Sequence, residues 1–208
     1  MPRIPATQRR AALARAALAV ASRDGLAAAS TRAIVAEAGM PLASFHYAVA
    51  SRDELLGDVV ALVVAEERAA ALAALVSHAR DPREAIRLAL LGYLDQVRAD
   101  PGREQAMFEL TQHALRTEGL DGLPREQYAR YRETALDVLV AGARRLGFDW
   151  RVPPADLARL LVMVTDGLTL AWLADRDDAA AERAVDLAAD ALAGFVVARA
   201  GAEGRDDG

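Results

Sequence analysis

Apolar residues recur at three- and four-residue steps along nearly the whole chain, while period-two alternation is scarce. That pattern predicts helices and no strands; Ala and Leu abound, and no Asn-Gly hairpin turn occurs. Starting and stopping residues divide the pattern. Thr7 can cap a helix running to about Arg23, ended by Gly25. Ser30 starts a short helix that Gly39 stops, and Pro41 opens another that ends near Val49. Ser51 caps a long helix to about Ala79, with Asp53 and Glu54 in its first turn, where the helix dipole favours acids. Asp81-Pro82-Arg83-Glu84 puts Asp at the N-cap, Pro at N1 and Glu at N3, and Asp100-Pro101 repeats the start. Pro124 opens a helix that Gly147 closes, and Pro153-Pro154 precedes one from about Ala155 to Ala174. Asp177 caps a last helix that ends before Gly201. The expected fold is all-α with about nine helices, and the polar tail 201–208 is expected to be disordered.

Charge divides the chain more sharply than hydropathy does. The whole carries a net charge of −5, which argues against a polyanionic partner. Residues 1–52, however, hold seven Arg and two acids, leaving the remaining residues with a net of −10. A basic head on an acidic body suits contact with polyphosphate at one end only. All 25 basic residues are Arg, which, beside so much Ala, reads as a compositional bias of the genome. The chain has no Cys, so disulfides, thiolate zinc sites and iron–sulfur clusters are excluded. The N-terminus lacks the apolar stretch of a signal peptide, and the run Val59 to Ala65 is too short to span a bilayer. A cytoplasmic protein without a membrane partner is expected.

The most informative stretch is 30–56, STRAIVAEAGMPLASFHYAVASRDELL. Two short helices meet at Gly39-Met40-Pro41, where Gly39 can take the left-handed conformation of a tight turn. Ile34, Ala38 and Met40 can pack inward, as can Phe45 and Val49. Leu42, Ala43, Ser44, His46 and Tyr47 are left on or near the outer side. Packing alone explains such a mixed face poorly; the reading helix of a helix-turn-helix explains it well.

These residues resemble the tetracycline-repressor (TetR) family of bacterial regulators. The likeness runs through Ala16-Ala17-Leu18, Gly25-Leu26, Ser30-Thr31-Arg32, Ile34 and Ala36-Glu37-Ala38-Gly39. It continues through Phe45-His46-Tyr47, Val49 and Ser51-Arg52-Asp53-Glu54-Leu55-Leu56, about the first quarter of the chain. The resemblance implies that Leu42, Ala43, Ser44 and His46 face bases or adjacent phosphates, and that Tyr47 approaches the backbone of double-stranded operator DNA. It assigns Arg52 to a phosphate, and Thr31 and Arg32 to the phosphate-facing start of the second helix, a role helix N-termini and Arg suit. Ala43, His46, Ala48 and Val49 depart from the family's commoner Gly, Tyr, His and Phe, so the operator cannot be read from them. The implied domains are a helix-turn-helix at 1–52 and an effector-binding and dimerisation domain at 53–200.

Leu157, Leu161, Val164, Leu168 and Trp172 form one stripe near the C-terminus, and Ala184, Ala188, Ala191 and Phe195 another. The resemblance implies a homodimer in which these last two helices pair with their copies. Polar or polarisable side chains on apolar faces nominate a pocket for a small-molecule effector: Met107, Phe108, His113, Tyr131, Met163, Asp166 and Trp172. Asp166, among Leu, Val and Met, needs a partner: an Arg, a Tyr hydroxyl or a cationic ligand. A di-iron enzyme would need paired Glu-x-x-His motifs, and none of His46, His78 and His113 follows Glu at that spacing. No phosphate loop, nucleophile elbow or His-Glu-x-x-His occurs, so neither cofactor nor catalysis is expected. A helical adaptor that binds only protein is the other class to distinguish. The expected function is that of a ligand-responsive regulator, a repressor released from operator DNA by a small molecule.

Overall fold

The structure, a computed structural model, describes residues 5–74 and 79–199. His78 and the tail 201–208 lie outside the described residues. Nine α-helices occupy most of the described chain: α1 (Ala6–Asp24), α2 (Thr31–Glu37), α3 (Leu42–Ala48), α4 (Arg52–Ala74), α5 (Pro82–Ala99), α6 (Pro101–Arg116), α7 (Gly122–Leu146), α8 (Pro154–Asp175) and α9 (Asp178–Ala193). A 3-10 turn, Leu26–Ala28, joins α1 to α2. The all-α architecture is as the pattern predicts.

Side-chain caps account for most helix starts. Ser30 Oγ accepts from Ala33 N at 3.3 Å, and Asp177 Oδ1 accepts from Ala180 N at 2.9 Å. Reciprocal capping boxes open α4 and α5. Glu54 N donates to Ser51 Oγ while Ala50 N donates to the Glu54 carboxylate; Asp81 and Glu84 repeat the exchange with Glu84 N and Arg80 N. Thr7 does not cap α1: the helix begins at Ala6 after Pro5, without a side-chain cap. Likewise α7 begins at Gly122, before Pro124.

Two departures concern the C-terminal part. Strands were not expected, yet β1 (Phe148–Trp150) and β2 (Val196–Ala198) pair antiparallel, Asp149 opposite Val197. As a result α9 ends at Ala193, and Phe195 belongs to the turn after it. Three residues per strand are too few for a period-two signal to stand out. Moreover, α8 is long and apolar enough by composition to cross a membrane, with a hydropathy of 1.5 over its best stretch. Arg159 and Asp166 interrupt it, and Leu157, Ala158, Val162, Leu168 and Trp172 are buried within the protein.

Contacts group the chain into two compact units, and the division differs from a cut at residue 52. One unit comprises the described residues up to Glu67 with Asp100–Ala129; the other comprises Arg68–Ala99 with those from Arg130 onward. In the first, α1 packs on α2, α3 and α6, and α2 on α3. Leu13, Val20, Ile34, Phe45, Leu55, Leu56 and Leu110 are buried there. In the second, α5, α8 and α9 pack together around Leu90, Leu94, Val97, Leu168, Trp172 and Val185.

Candidate nucleic-acid interface and effector domain

The turn between α2 and α3 is built by one residue without a Cβ. Gly39 sits at φ +62°, Met40 N donates to Val35 O at 2.8 Å, and Gly39 N to Ala36 O at 3.1 Å. This pair of bonds satisfies the carbonyls at the end of α2 and redirects the chain into α3. Phe45 and Val49 anchor α3 inward, with Phe45 1% exposed. On the other side Tyr47 is 80% and Leu42 42% exposed; Ala43 and His46 are exposed and Ser44 is half-buried. The His46 ring meets the Phe45 ring edge-on, with centroids 5.8 Å apart. Thr31, the first residue of α2, is half-buried, and Arg32 beside it is exposed.

The basic residues of the head divide by partner. Arg10 reaches from α1 to α4, donating to both Asp58 oxygens and to Glu54 at 2.5, 3.0 and 2.7 Å. The backbone N–H of Ala50, and then Arg10, hold the Glu54 carboxyl below its ordinary value. Arg23 pairs with Asp24 and Glu37. Arg52, assigned to a phosphate by the resemblance, is half-buried and meets two backbone carbonyls. Its Nε donates to Ala29 O at 2.8 Å and its Nη2 to Leu26 O at 2.6 Å.

The seven nominated effector residues fall into both units. Met107 is buried in the first, on α6, where its carbonyl accepts from Thr111 Oγ1 at 2.9 Å. Phe108 and His113 are half-buried on the same helix, and His113 Nε2 lies 3.9 Å from Asp53 Oδ1. Tyr131 on α7 and Asp166 on α8 are half-buried in the second unit. Trp172 is buried with its indole N–H donated to Asp178 at 2.8 Å and the Arg176 guanidinium 4.3 Å from its ring centroid. Its polar group and one ring face are therefore spent within the chain. Met163 is 65% exposed, not part of a core. Met163 and Trp172 do meet at one feature, a half-open groove of about 360 Å³ between α8, α9 and Leu90 of α5. Gly167, Ala171, Ala184 and Ala188 give it shallow apolar walls, and Asp175 is its one charged residue.

Several contacts were not anticipated. Arg83, Arg87 and Arg98 of α5 pair with Asp190, Asp186 and Asp178 of α9, an antiparallel ladder. The four-residue steps Arg83–Arg87 and Asp186–Asp190 were the available signal for two of its three pairs. Glu109 of α6 accepts from Leu26 N at 2.6 Å, and a Cβ on Gly102 would overlap the Ser22 carbonyl oxygen. Only the packing of α6 on α1 reveals these two. No cluster of potential metal ligands occurs among the described residues.

Comparisons with known proteins agree with this geometry. The description "BetI-type transcriptional repressor, C-terminal" matches residues 82–197. The HTH-type nicotine-responsive transcriptional repressor HdnoR of Paenarthrobacter nicotinovorans is 30% identical over 176 residues, covering 85% of this chain and 89% of that one. A structure from Mesorhizobium loti assigned to the TetR regulators superposes with a TM-score of 0.75 at 16% identity, over 93% of this chain and 99% of its own. A regulator from Saccharomonospora viridis in complex with choline gives 0.69 at 19% identity, over 93% and 100%. The chain therefore belongs to the TetR family of transcriptional regulators, with a C-terminal domain of the BetI type.

Proposed function

We propose that this protein is a cytoplasmic repressor that two-fold pairs of α3 bring to operator DNA and a small organic cation releases. The observation that carries the DNA reading is the outer side of α3, where Tyr47 and Leu42 stand in water on a basic head while Phe45 seals the inside. Ser44 and His46 can read base edges, Leu42 and Ala43 can contact a thymine methyl, and Tyr47 can reach the DNA backbone. Thr31 and exposed Arg32 serve phosphate at the start of α2.

Dimerisation is assigned to α8 and α9. Met163, Leu170 and Leu187 are 65%, 59% and 70% exposed, beside small residues that let helices approach closely. A second copy would cover the groove holding Met163 and Trp172. Two heads about one DNA turn apart, roughly 34–36 Å, then meet successive major grooves. An effector that binds better to another head spacing shifts the population away from the DNA-bound state.

The cationic class is supported by two relatives, one named as nicotine-responsive and one crystallised with choline. In this chain Asp166 is the carboxylate and Tyr131 the aromatic that suit such a charge. Selection of duplexes from a random pool, followed by binding with increasing salt and with nicotine or choline, tests the reading. Enrichment of one sequence, steep weakening with salt and release by an amine are expected. Failure to enrich any sequence would refute it.

A further inference from the structure

Helices α4 and α6 of the first unit both reach the connection that precedes α2. Gly25, at φ +85°, turns the chain at the end of α1, and Leu26 N then donates to Glu109 Oε2 on α6 at 2.6 Å. The carbonyl of the same residue accepts from Arg52 Nη2 at 2.6 Å, and that of Ala29 from Arg52 Nε at 2.8 Å. Ala29 is fully buried, and the next residue, Ser30, is the N-cap of α2. The segment is thus held by one residue from each helix, immediately before the helix-turn-helix begins. A planar guanidinium spans two carbonyls in a way that a point-charge ammonium does not.

We propose that Arg52 and Glu109 are positioning residues that clasp the Leu26–Ala29 turn and fix the pose of α2 and α3 for DNA, Arg52 acting through the turn and not on phosphate. The proposal rests on the regulator reading above. A positioning residue sharpens binding to the correct sequence and leaves random DNA almost unaffected. A phosphate ligand contributes equally to both.

The test uses the full chain and a duplex enriched from a random pool by the unaltered protein, with anisotropy read across a salt series. Arg52→Ala and Arg52→Lys are both expected to weaken the enriched duplex by roughly tenfold, because neither side chain spans the two carbonyls. The slope of log affinity against log salt should stay that of the unaltered protein. Glu109→Ala should give a similar loss, while Glu109→Gln, which keeps an acceptor for Leu26 N, should stay within about threefold. The double variant Arg52→Ala, Glu109→Ala should lose less than the product of the single losses, since both act on one turn. Far-UV circular dichroism identifies any variant that fails to fold; Arg52→Lys, the mildest, then carries the decision. A slope shallower by about 0.9 for Arg52→Ala, with Arg52→Lys binding like the unaltered protein, would make Arg52 a phosphate ligand and overturn the clasp. If the unaltered protein enriches no duplex, the regulator reading itself fails, and the clasp with it.

Discussion

Helix α3 and the α8–α9 face both leave large apolar side chains in water, but in opposite electrostatic settings. Tyr47 and Leu42 stand on a head with a surplus of Arg, whereas Met163, Leu170 and Leu187 stand among Ala and Gly in an acidic domain. Exposure alone marks a surface for burial; the neighbouring charge indicates the partner. A basic rim suits a polyanion, and a groove of small apolar residues with Asp175 as its one charge suits its own copy.

That contrast can be broken most severely at α9. Leu187→Glu would set like charges against each other near a two-fold axis, at a cost of several kcal/mol. Sedimentation at micromolar concentration should show monomer, and affinity for a two-half-site duplex should fall more than about a hundredfold. A dimer that binds normally would remove α8 and α9 from the interface. Next in size, Gly102→Ala forces a methyl against the Ser22 carbonyl and should destabilise the first unit by about 1–3 kcal/mol. A lower urea midpoint checks this, and an unchanged midpoint would show that α6 can shift away from α1.

Smaller changes sharpen the head's side of the contrast. Ser44→Ala should alter base preference at one position, by about 1–3 kcal/mol, with random DNA unaffected. Arg32→Ala should instead weaken all sequences alike and reduce the salt slope by about one. Equal behaviour of the two variants on specific and random duplexes would merge roles that are here kept apart. The smallest effect concerns the α5–α9 ladder. The Trp172 indole N–H, and then Arg98, hold the Asp178 carboxyl below its ordinary value, and Arg83 does the same for Asp190. A depressed folded value means that this stabilisation is present above the unfolded aspartate value of about 3.9 and is lost as pH falls through the folded one. Asp190→Asn should therefore lower the thermal midpoint slightly at neutral pH and hardly at all in strong acid. Both pairs are largely solvated, which keeps the effect small.

Much of the fold was legible because this chain marks its helices with local chemistry. Ser30, Ser51, Asp81, Asp100 and Asp177 cap from within the next three residues, so no distant partner is needed to see them. The outer face of α3 was legible for the same reason, from Phe45 and Val49 on one side and Gly39 before them. What escaped depends on residues far apart in sequence. The bonds of Arg83 to Asp190 and of Leu26 N to Glu109 join residues more than eighty positions apart. Nothing local shows that Arg52 meets the carbonyls of Leu26 and Ala29, more than twenty positions before it. A local pattern specifies which face a side chain lies on, but not which group meets it there.

The small ladder between β1 and β2 has a consequence for assembly. Arg151 N donates to Phe195 O at 2.8 Å, and the Arg151 guanidinium lies 5.7 Å from the Phe195 ring. A terminal helix ordinarily frays through its final turn, and a binding partner must freeze that motion. Here the end of α9 is buckled before any partner arrives, so a second copy would meet a surface already set in shape. Entropy that would otherwise oppose pairing has then been lost during folding of the single chain.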